Sequence, residues 1–252
     1  MPIPIRKTIP TDVSGLSIQL TDDGSRTLVR EDSGDAYHSG CGALAETKHV
    51  YLDNSGVSAR LQRGKPTSVL EIGLGTGMGL LLTVDAATKS STSLRYDAFE
   101  IDWVPASVLR DLHLGVGIDD AKLAERFVAF RSSLASDIAD GVYRWDDLPC
   151  DDAFEVIVDI YVADVRSHPF AESNSYDAIY FDPFAPASNA DVWTSSVLKK
   201  MCQVLAPTGR LVTYCCSRAV RDLMQQSGFI VERVAGPPGG KREVLIATKS
   251  HG

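Results

Sequence analysis

Between residues 68 and 248 short apolar runs alternate with stretches of helical periodicity, and few folds accept that alternation. The runs are SVLEIG, residues 94–101, FEVIVDIYVAD, YDAIYFD, RLVTYCC, FIVERV and EVLIAT. Residues 77–87, 104–112, 122–130, 192–205 and 218–226 read as helices between them, and Pro207 and Gly209 supply a stop signal for the fourth. Strands alternating with helices pack as a mostly parallel sheet covered on both faces. The last two strands are separated by little more than GPPGGK, too short for a parallel crossover, so one of them runs antiparallel. Before this region, LSIQLTDDGSRTLVR (residues 16–30) reads as a hairpin turning at Asp23-Gly24, and GALAETKHVYLDN (residues 42–54) as a helix. The expected organisation is an N-terminal hairpin-and-helix appendage, residues 1–65, followed by a seven-stranded Rossmann-like α/β domain, residues 66–252.

Composition narrows the function classes. The 252 residues are 44% hydrophobic and 23% charged, which excludes a disordered chain. No run of 18 apolar residues offers a membrane span, and MPIPIRKTIP lacks the apolar core of a secretory signal. The five cysteines form no CxxC and the five histidines no HxxxH, so no metal site and no disulfide framework is expected. A reduced, cytoplasmic protein that makes no membrane contact is the expectation. The net charge is −8, but it is unevenly spread. From Ser195 onward nine basic residues face three acidic ones, a net of +6 against −14 for the remainder. Lys199, Lys200, Arg218, Arg221, Lys241 and Arg242 form either a phosphate-holding face or the solvated side of C-terminal helices.

Four motifs carry chemistry. Glu71-Ile72-Gly73-Leu74-Gly75-Thr76-Gly77 lies between a strand and a helix, where glycines let a ligand approach the backbone. Its ExGxGxG spacing differs from the dinucleotide GxGxxG and resembles the loop of S-adenosylmethionine-dependent methyltransferases. No GK[ST] follows, which excludes a nucleotide phosphate loop. Glu100, at the tip of the second strand, has the position of a carboxylate that accepts both ribose hydroxyls, with Asp102 as its rival. Asp164 ends the third strand, either near an adenine amino group or as a turn aspartate. Asp182, in Tyr180-Phe181-Asp182-Pro183-Phe184-Ala185-Pro186, follows the fourth strand in a loop stiffened by two prolines. Such a loop is similar to the Asp/Asn-Pro-Pro-aromatic loop of N-methyltransferases, where an acid and a backbone carbonyl aim the lone pair of an amine. Tyr37 and His38 are weaker candidates for the pocket wall. Trp193 either stacks on a base or packs in the core.

Together, DAYHSGCGALAETKHVYLDN, EIGLGTGMGLLL, YFDPFAPASNADVWT and PPGGKREVLIAT resemble the methyltransferase domain of MnmC-type tRNA-modifying proteins, from about residue 16 to residue 248. The resemblance implies a class I methyltransferase fold using S-adenosyl-L-methionine to place the last methyl of wobble 5-methylaminomethyl-(2-thio)uridine in tRNA. It implies Asp182 as the essential acid. It also implies Gly73, Leu74, Gly75, Thr76, Gly77, Glu100, Asp164 and Asp182 around the cofactor, with Glu46 near its methionine end and Lys241 and Arg242 at the mouth of the site. The best-known members carry a further FAD-dependent oxidase domain. This chain has a single glycine-rich fingerprint, so the expectation is no FAD and a free aminomethyl substrate. Those members more often have Asp-Gly-Phe where this chain has Asp-Pro-Phe, which stiffens the loop. The competing functions are a small-molecule amine N-methyltransferase or polyamine-type aminopropyltransferase, and a non-enzymatic S-adenosylmethionine-binding protein that reads RNA or a partner.

Overall fold

The computed structural model describes residues 6–120, 122–135, 137–150, 153–171, 173 and 175–250. The chain opens with a three-stranded antiparallel sheet, β1 (Thr8–Pro10), β2 (Leu16–Leu20) and β3 (Arg26–Arg30). β2 and β3 pair from Leu16↔Arg30 to Leu20↔Arg26, the expected hairpin. Its turn is closed by Asp23, whose Oδ1 accepts from the Ser25 amide at 3.0 Å. β1 was not legible as a strand: three residues ending in proline are too few to show an alternation.

The segment expected as one helix divides. Helix α1 (Ala43–Thr47) runs into a π-helical turn, Lys48–Asp53, and α2 (Val57–Gln62) follows. The wider turn buries three consecutive residues, Val50, Tyr51 and Leu52. An α-helix at a protein surface buries a stripe instead, so this turn carries side chains to places a regular helix does not reach.

The main sheet has eight strands among the described residues: β4 (Thr67–Ile72), β5 (Leu94–Glu100), β6 (Gly141–Trp145), β7 (Val156–Val162), β8 (Tyr176–Phe181), β9 (Leu205–Thr213), β10 (Phe229–Ala235) and β11 (Glu243–Lys249). Their order is β10-β11-β9-β8-β4-β5-β7-β6. β4, β5, β7, β8 and β9 are parallel, and β11 runs antiparallel to both β9 and β10, as the short final connection requires. The eighth strand, β6, corrects the expected seven. It pairs antiparallel with β7 at the sheet edge and turns Val142 outward, 57% exposed, so its apolar residues do not mark a buried face. Arg144 ties it to Asp159 through two contacts of 2.8 Å.

Alternation along the strands divides the core. Val69, Tyr96 and Val158 face α3 (Met78–Lys89) and the N-terminal elements, in one apolar cluster with Ile18, Leu28 and Val57. The appendage therefore shares this core. Helices α4 (Ala106–Asp111) and α5 (Leu123–Ser133) cover the same side, through Leu109 and Phe127. Leu70, Ile72 and Phe181 face the other side, with α6 (Ser195–Val204) and α7 (Arg218–Gln226). Both of these last helices start at a side-chain cap, Thr194 accepting from Val197 and Ser217 from Val220. Among the described residues no helix is long and apolar enough to cross a membrane, and no group of three metal-ligating side chains occurs.

Candidate active site

The chain builds β4, moves outward to β5 and β7, then returns to the other side of β4 for β8 and β9. The crevice at such a reversal, outside the carboxyl ends of the strands, is where open α/β sheets bind ligands. A cleft of about 240 Å³ opens there. Residues just beyond or at the ends of five strands meet in it: Gly73 after β4, Glu100 at the end of β5, Asp164 after β7, Asp182 after β8 and Tyr214 after β9.

The glycine loop touches its neighbours too closely for side chains. Gly73 has φ +89°, and a Cβ there would lie 2.7 Å from the backbone oxygen of Asp182. Gly75 has φ +53°, and a Cβ would lie 3.2 Å from the ring of Tyr37. Tyr37 packs edge-on against Phe184 at 5.0 Å, so the N-terminal segment bridges the glycine loop and the Asp182 loop. Leu74 and Thr76 are buried, and the Thr76 hydroxyl finds no hydrogen-bond partner. Glu71 is buried behind the loop, and burial pushes its carboxyl well above the ordinary range.

Glu100 is fixed by backbone amides. Its Oε2 accepts from Gly75 at 2.8 Å, and its Oε1 accepts from Ile101 and Asp102, each at 2.9 Å. Burial raises its pKa, and the three amides work against that rise. With Oε1 taken twice, the free acceptor capacity lies on Oε2. The expectation that Glu100 meets two hydroxyls therefore narrows to one in this conformation. Asp102 stands at the rim, where Arg30 approaches it at 3.3 Å. Asp164 lines the cleft, but Arg166 holds its carboxylate at 2.8 and 3.0 Å and its pKa below the ordinary value.

Asp182 lies at the centre. Its amide donates to the Ile72 carbonyl at 2.9 Å, which anchors its backbone to β4. Its Oδ1 accepts the hydroxyl of Tyr51. Burial pushes its carboxyl well above the usual range, helped by the charge of Glu46; the Tyr51 hydrogen bond and Lys241 act the other way. Lys241 sits 3.6 Å over the ring of Tyr214 and 3.5 Å from Glu46 Oε1, an oxygen that is buried and accepts no hydrogen bond. The Tyr214 hydroxyl donates to the Pro183 carbonyl at 3.0 Å. His38 lines the cleft, its amide on Thr27 Oγ1 at 2.9 Å, and burial lowers its pKa so that the neutral ring is favoured.

Most of the residues singled out in the sequence converge here. Trp193 does not. It is 6% exposed, donates its indole N–H to the Phe184 carbonyl at 2.8 Å and packs edge-on against Phe181. It braces the loop from below and presents no face to a base. Arg242 is exposed on the β10–β11 connection. Lys200 is less free than expected, since its ammonium is spent on the carbonyls of Arg166 and His168. Sequence reasoning missed Tyr51, Tyr214 and Arg30. Each is an ordinary tyrosine or arginine of a strand end or helix, and its partner lies far away along the chain.

These residues fit S-adenosyl-L-methionine. Gly73 and Gly75 carry no side chains at the cleft, Glu100 offers an acceptor, and Glu46 Oε1, which accepts no hydrogen bond and already faces the Lys241 ammonium at 3.5 Å, is a carboxylate oxygen that suits a cationic amino group. A model of S-adenosyl-L-methionine-dependent methyltransferases matches residues 144–250, the stretch holding Asp164, Asp182, Tyr214 and Lys241. The tRNA 5-methylaminomethyl-2-thiouridine biosynthesis bifunctional protein MnmC of Ralstonia nicotianae is 30% identical over 230 residues, covering 91% of this chain and 34% of that protein. Its counterpart in Burkholderia multivorans is 26% identical over 245 residues, covering 94% and 35%. The chain thus spans about a third of the length of these curated relatives. The crystal structure of MNMC2 from Aquifex aeolicus superposes with a TM-score of 0.69 at 21% identity, covering 94% of this chain and 71% of that one. Spermidine synthase from Thermotoga maritima shares the fold with a TM-score of 0.52 at 14% identity, covering 97% and 72%. With its sheet order and its glycine cradle, the chain shares the fold of these proteins, and its residues 144–250 match the S-adenosyl-L-methionine-dependent methyltransferase family.

Proposed function

We propose that the protein methylates the aminomethyl group of a wobble 5-aminomethyl-(2-thio)uridine in tRNA. One juxtaposition carries this reading. The carboxylate of Asp182 opens into the cleft that holds the glycine loop, and the backbone of Asp182 is what a Cβ at position 73 would strike. An acid that close to the cofactor cradle is placed to handle the reacting nitrogen.

S-adenosyl-L-methionine, held by the Gly73–Gly77 loop with Glu100 and Glu46, supplies an electrophilic methyl group on a sulfonium. The rest falls to the chain's own side chains. An alkyl ammonium reaching the cleft meets a half-buried acid, and the anionic form of Asp182 holds its N–H bonds. Only the neutral amine has a lone pair, so Asp182 must hold the nitrogen and give its proton a path outward. The same carboxylate repels an anionic substituent on the nitrogen, which favours the aminomethyl over the carboxymethylaminomethyl form.

A polyamine substrate is disfavoured by charge. Lys241 over Tyr214, and Arg30 packed 5.2 Å from Phe184 in the cleft wall, would each oppose a second cationic centre. The same cations suit the phosphates flanking an anticodon base. Neutralising Lys241 and Arg242 to glutamine is expected to weaken tRNA binding and to lower the slope of log affinity against log salt by roughly 1 per lost phosphate contact. Lys241 also neighbours Glu46, so Arg242→Gln alone separates the RNA contribution from any effect on the cofactor. Filter binding across a salt series reads both variants. An unchanged slope in the double variant places the RNA on another face. The proposal itself is tested by supplying methyl-labelled S-adenosyl-L-methionine with either tRNA lacking this methyl group or spermidine. Label in the tRNA alone supports it, label in spermidine alone supports a small-molecule amine N-methyltransferase, and an aminopropyltransferase would put no methyl label in either, leaving it on methylthioadenosine when given the decarboxylated cofactor.

A further inference from the structure

Tyr51 lies in the DAYHSGCGALAETKHVYLDN stretch without a role assigned to it, and the chemistry above does not use it. It lies in the middle of the π-helical turn Lys48–Asp53 and is 2% exposed. Its ring packs 5.5 Å from that of Tyr180, the residue two before Asp182 on β8. Its hydroxyl donates to Oδ1 of Asp182 across 131 positions of sequence. One turn of non-regular helix therefore delivers a buried hydroxyl to the acid at the centre of the cleft, and π turns of this kind recur at functional sites.

The backbone of Asp182 is already immobilised. Its amide is bound to Ile72, Pro183 follows it, and the Pro183 carbonyl takes the Tyr214 hydroxyl. What remains free is rotation of the carboxylate about its own side-chain bonds. Such a group must be held within tens of degrees of its productive direction to aim a lone pair. Among the described residues, Tyr51 is the side chain whose hydrogen bond to that carboxylate supplies the constraint. We propose that Tyr51 is a positioning residue for methyl transfer: its hydroxyl pins Oδ1 of Asp182 and so leaves Oδ2 as the oxygen that meets the substrate amine. This rests on the reading of Asp182 as the acid that holds the amine.

The electrostatic surroundings give the idea a distinctive signature. Asp182 is faced by Tyr51 and Glu46 from the N-terminal segment, Glu71 from β4, Tyr96 from β5, Tyr214 after β9 and Lys241 from the β10–β11 connection. Burial and Glu46 favour the protonated acid, while the Tyr51 hydrogen bond and Lys241 favour the carboxylate. Removing the hydroxyl raises the pKa of Asp182. Activity needs the carboxylate, so the acidic limb of the rate profile moves to higher pH. Loss of packing alone would lower the rate equally at every pH.

The test compares wild type with Tyr51→Phe, which keeps the ring and its contact with Tyr180. The expected result is a kcat about tenfold lower at pH 7, an unchanged KM for S-adenosyl-L-methionine, and an acidic limb moved up by about one pH unit, with the rate recovering above it. A pH-independent loss, or no loss, overturns the proposal. A second measurement needs no turnover. Carbon-13 NMR of the Asp182 carboxyl should show its titration midpoint rising in Tyr51→Phe. If wild type methylates no tRNA amine, the substrate reading has failed. The pairing then stands or falls by NMR: a raised midpoint supports the Tyr51 constraint on Asp182, and an unmoved midpoint overturns it.

Discussion

Asp182→Asn is expected to lower methyl transfer by about 10²–10⁴-fold, the usual range for a positioned acid–base group, while leaving S-adenosyl-L-methionine binding close to that of wild type. Asparagine is the informative replacement. Its oxygen can still accept the Tyr51 hydroxyl, so the buried donor keeps a partner, and the change removes only charge and proton capacity. The glycine cradle meets the backbone of Asp182 and not its side chain, so the cofactor should still enter. Single-turnover rates at saturating cofactor, beside calorimetric titration, read the two effects separately. The acidic limb of the wild-type rate profile should vanish with the carboxylate. A loss of less than tenfold would reduce Asp182 to a turn residue.

Gly73→Val is expected to weaken S-adenosyl-L-methionine binding by roughly 100-fold or more, since forcing bulk into a packed contact costs about 1–3 kcal/mol before the cofactor is considered. Two causes act together. The residue sits at φ +89°, a left-handed conformation that β-branched side chains resist, and its Cβ would stand 2.7 Å from the Asp182 carbonyl oxygen and 3.0 Å from that carbon. Both atoms are backbone of Asp182, just past β8, which is paired to the β4 strand that ends before Gly73, so neither can swing aside. Gly75→Val should be gentler in its protein contacts, because its nearest neighbour is the Tyr37 ring at 3.2 Å, which can give way. Titration calorimetry on both variants, with thermal melts to verify folding, checks the ranking. Unchanged cofactor affinity in Gly73→Val would remove this loop from the binding site.

The sheet and its active-site loops were legible because their signals are local. β4 is a buried run that ends in a glycine loop, and Asp182 follows a run just as clear and precedes a proline, so strand, stop and chemistry lie within a few residues. The short GPPGGK connection forced one antiparallel strand, and β11 is that strand. What stayed hidden depends on geometry between distant segments. β6 turns Val142 to solvent and pairs with β7 from the edge, which no alternation announces. Trp193 admitted base stacking, although its apolar helix pattern favoured core packing, and its N–H on the Phe184 carbonyl shows the packed role. Tyr51 was unreadable for two reasons: the π turn breaks the helical period, and its partner Asp182 lies on another element. Glu100 was found by its place at a strand tip, but that three backbone amides share its carboxylate is a property of the folded loop.

On the proposed function, Asp182 and the glycine cradle together methylate an uncharged aminomethyl nitrogen on a wobble uridine. Its most direct measurement incubates the wild-type protein and S-adenosyl-L-methionine with tRNA bearing 5-aminomethyl-2-thiouridine, and in parallel with tRNA bearing the carboxymethylaminomethyl form, followed by nucleoside mass spectrometry. The aminomethyl nucleoside should gain one methyl group and the carboxymethylated one should stay as it was. Absence of methyl on the aminomethyl nucleoside, or equal methylation of both, would contradict it.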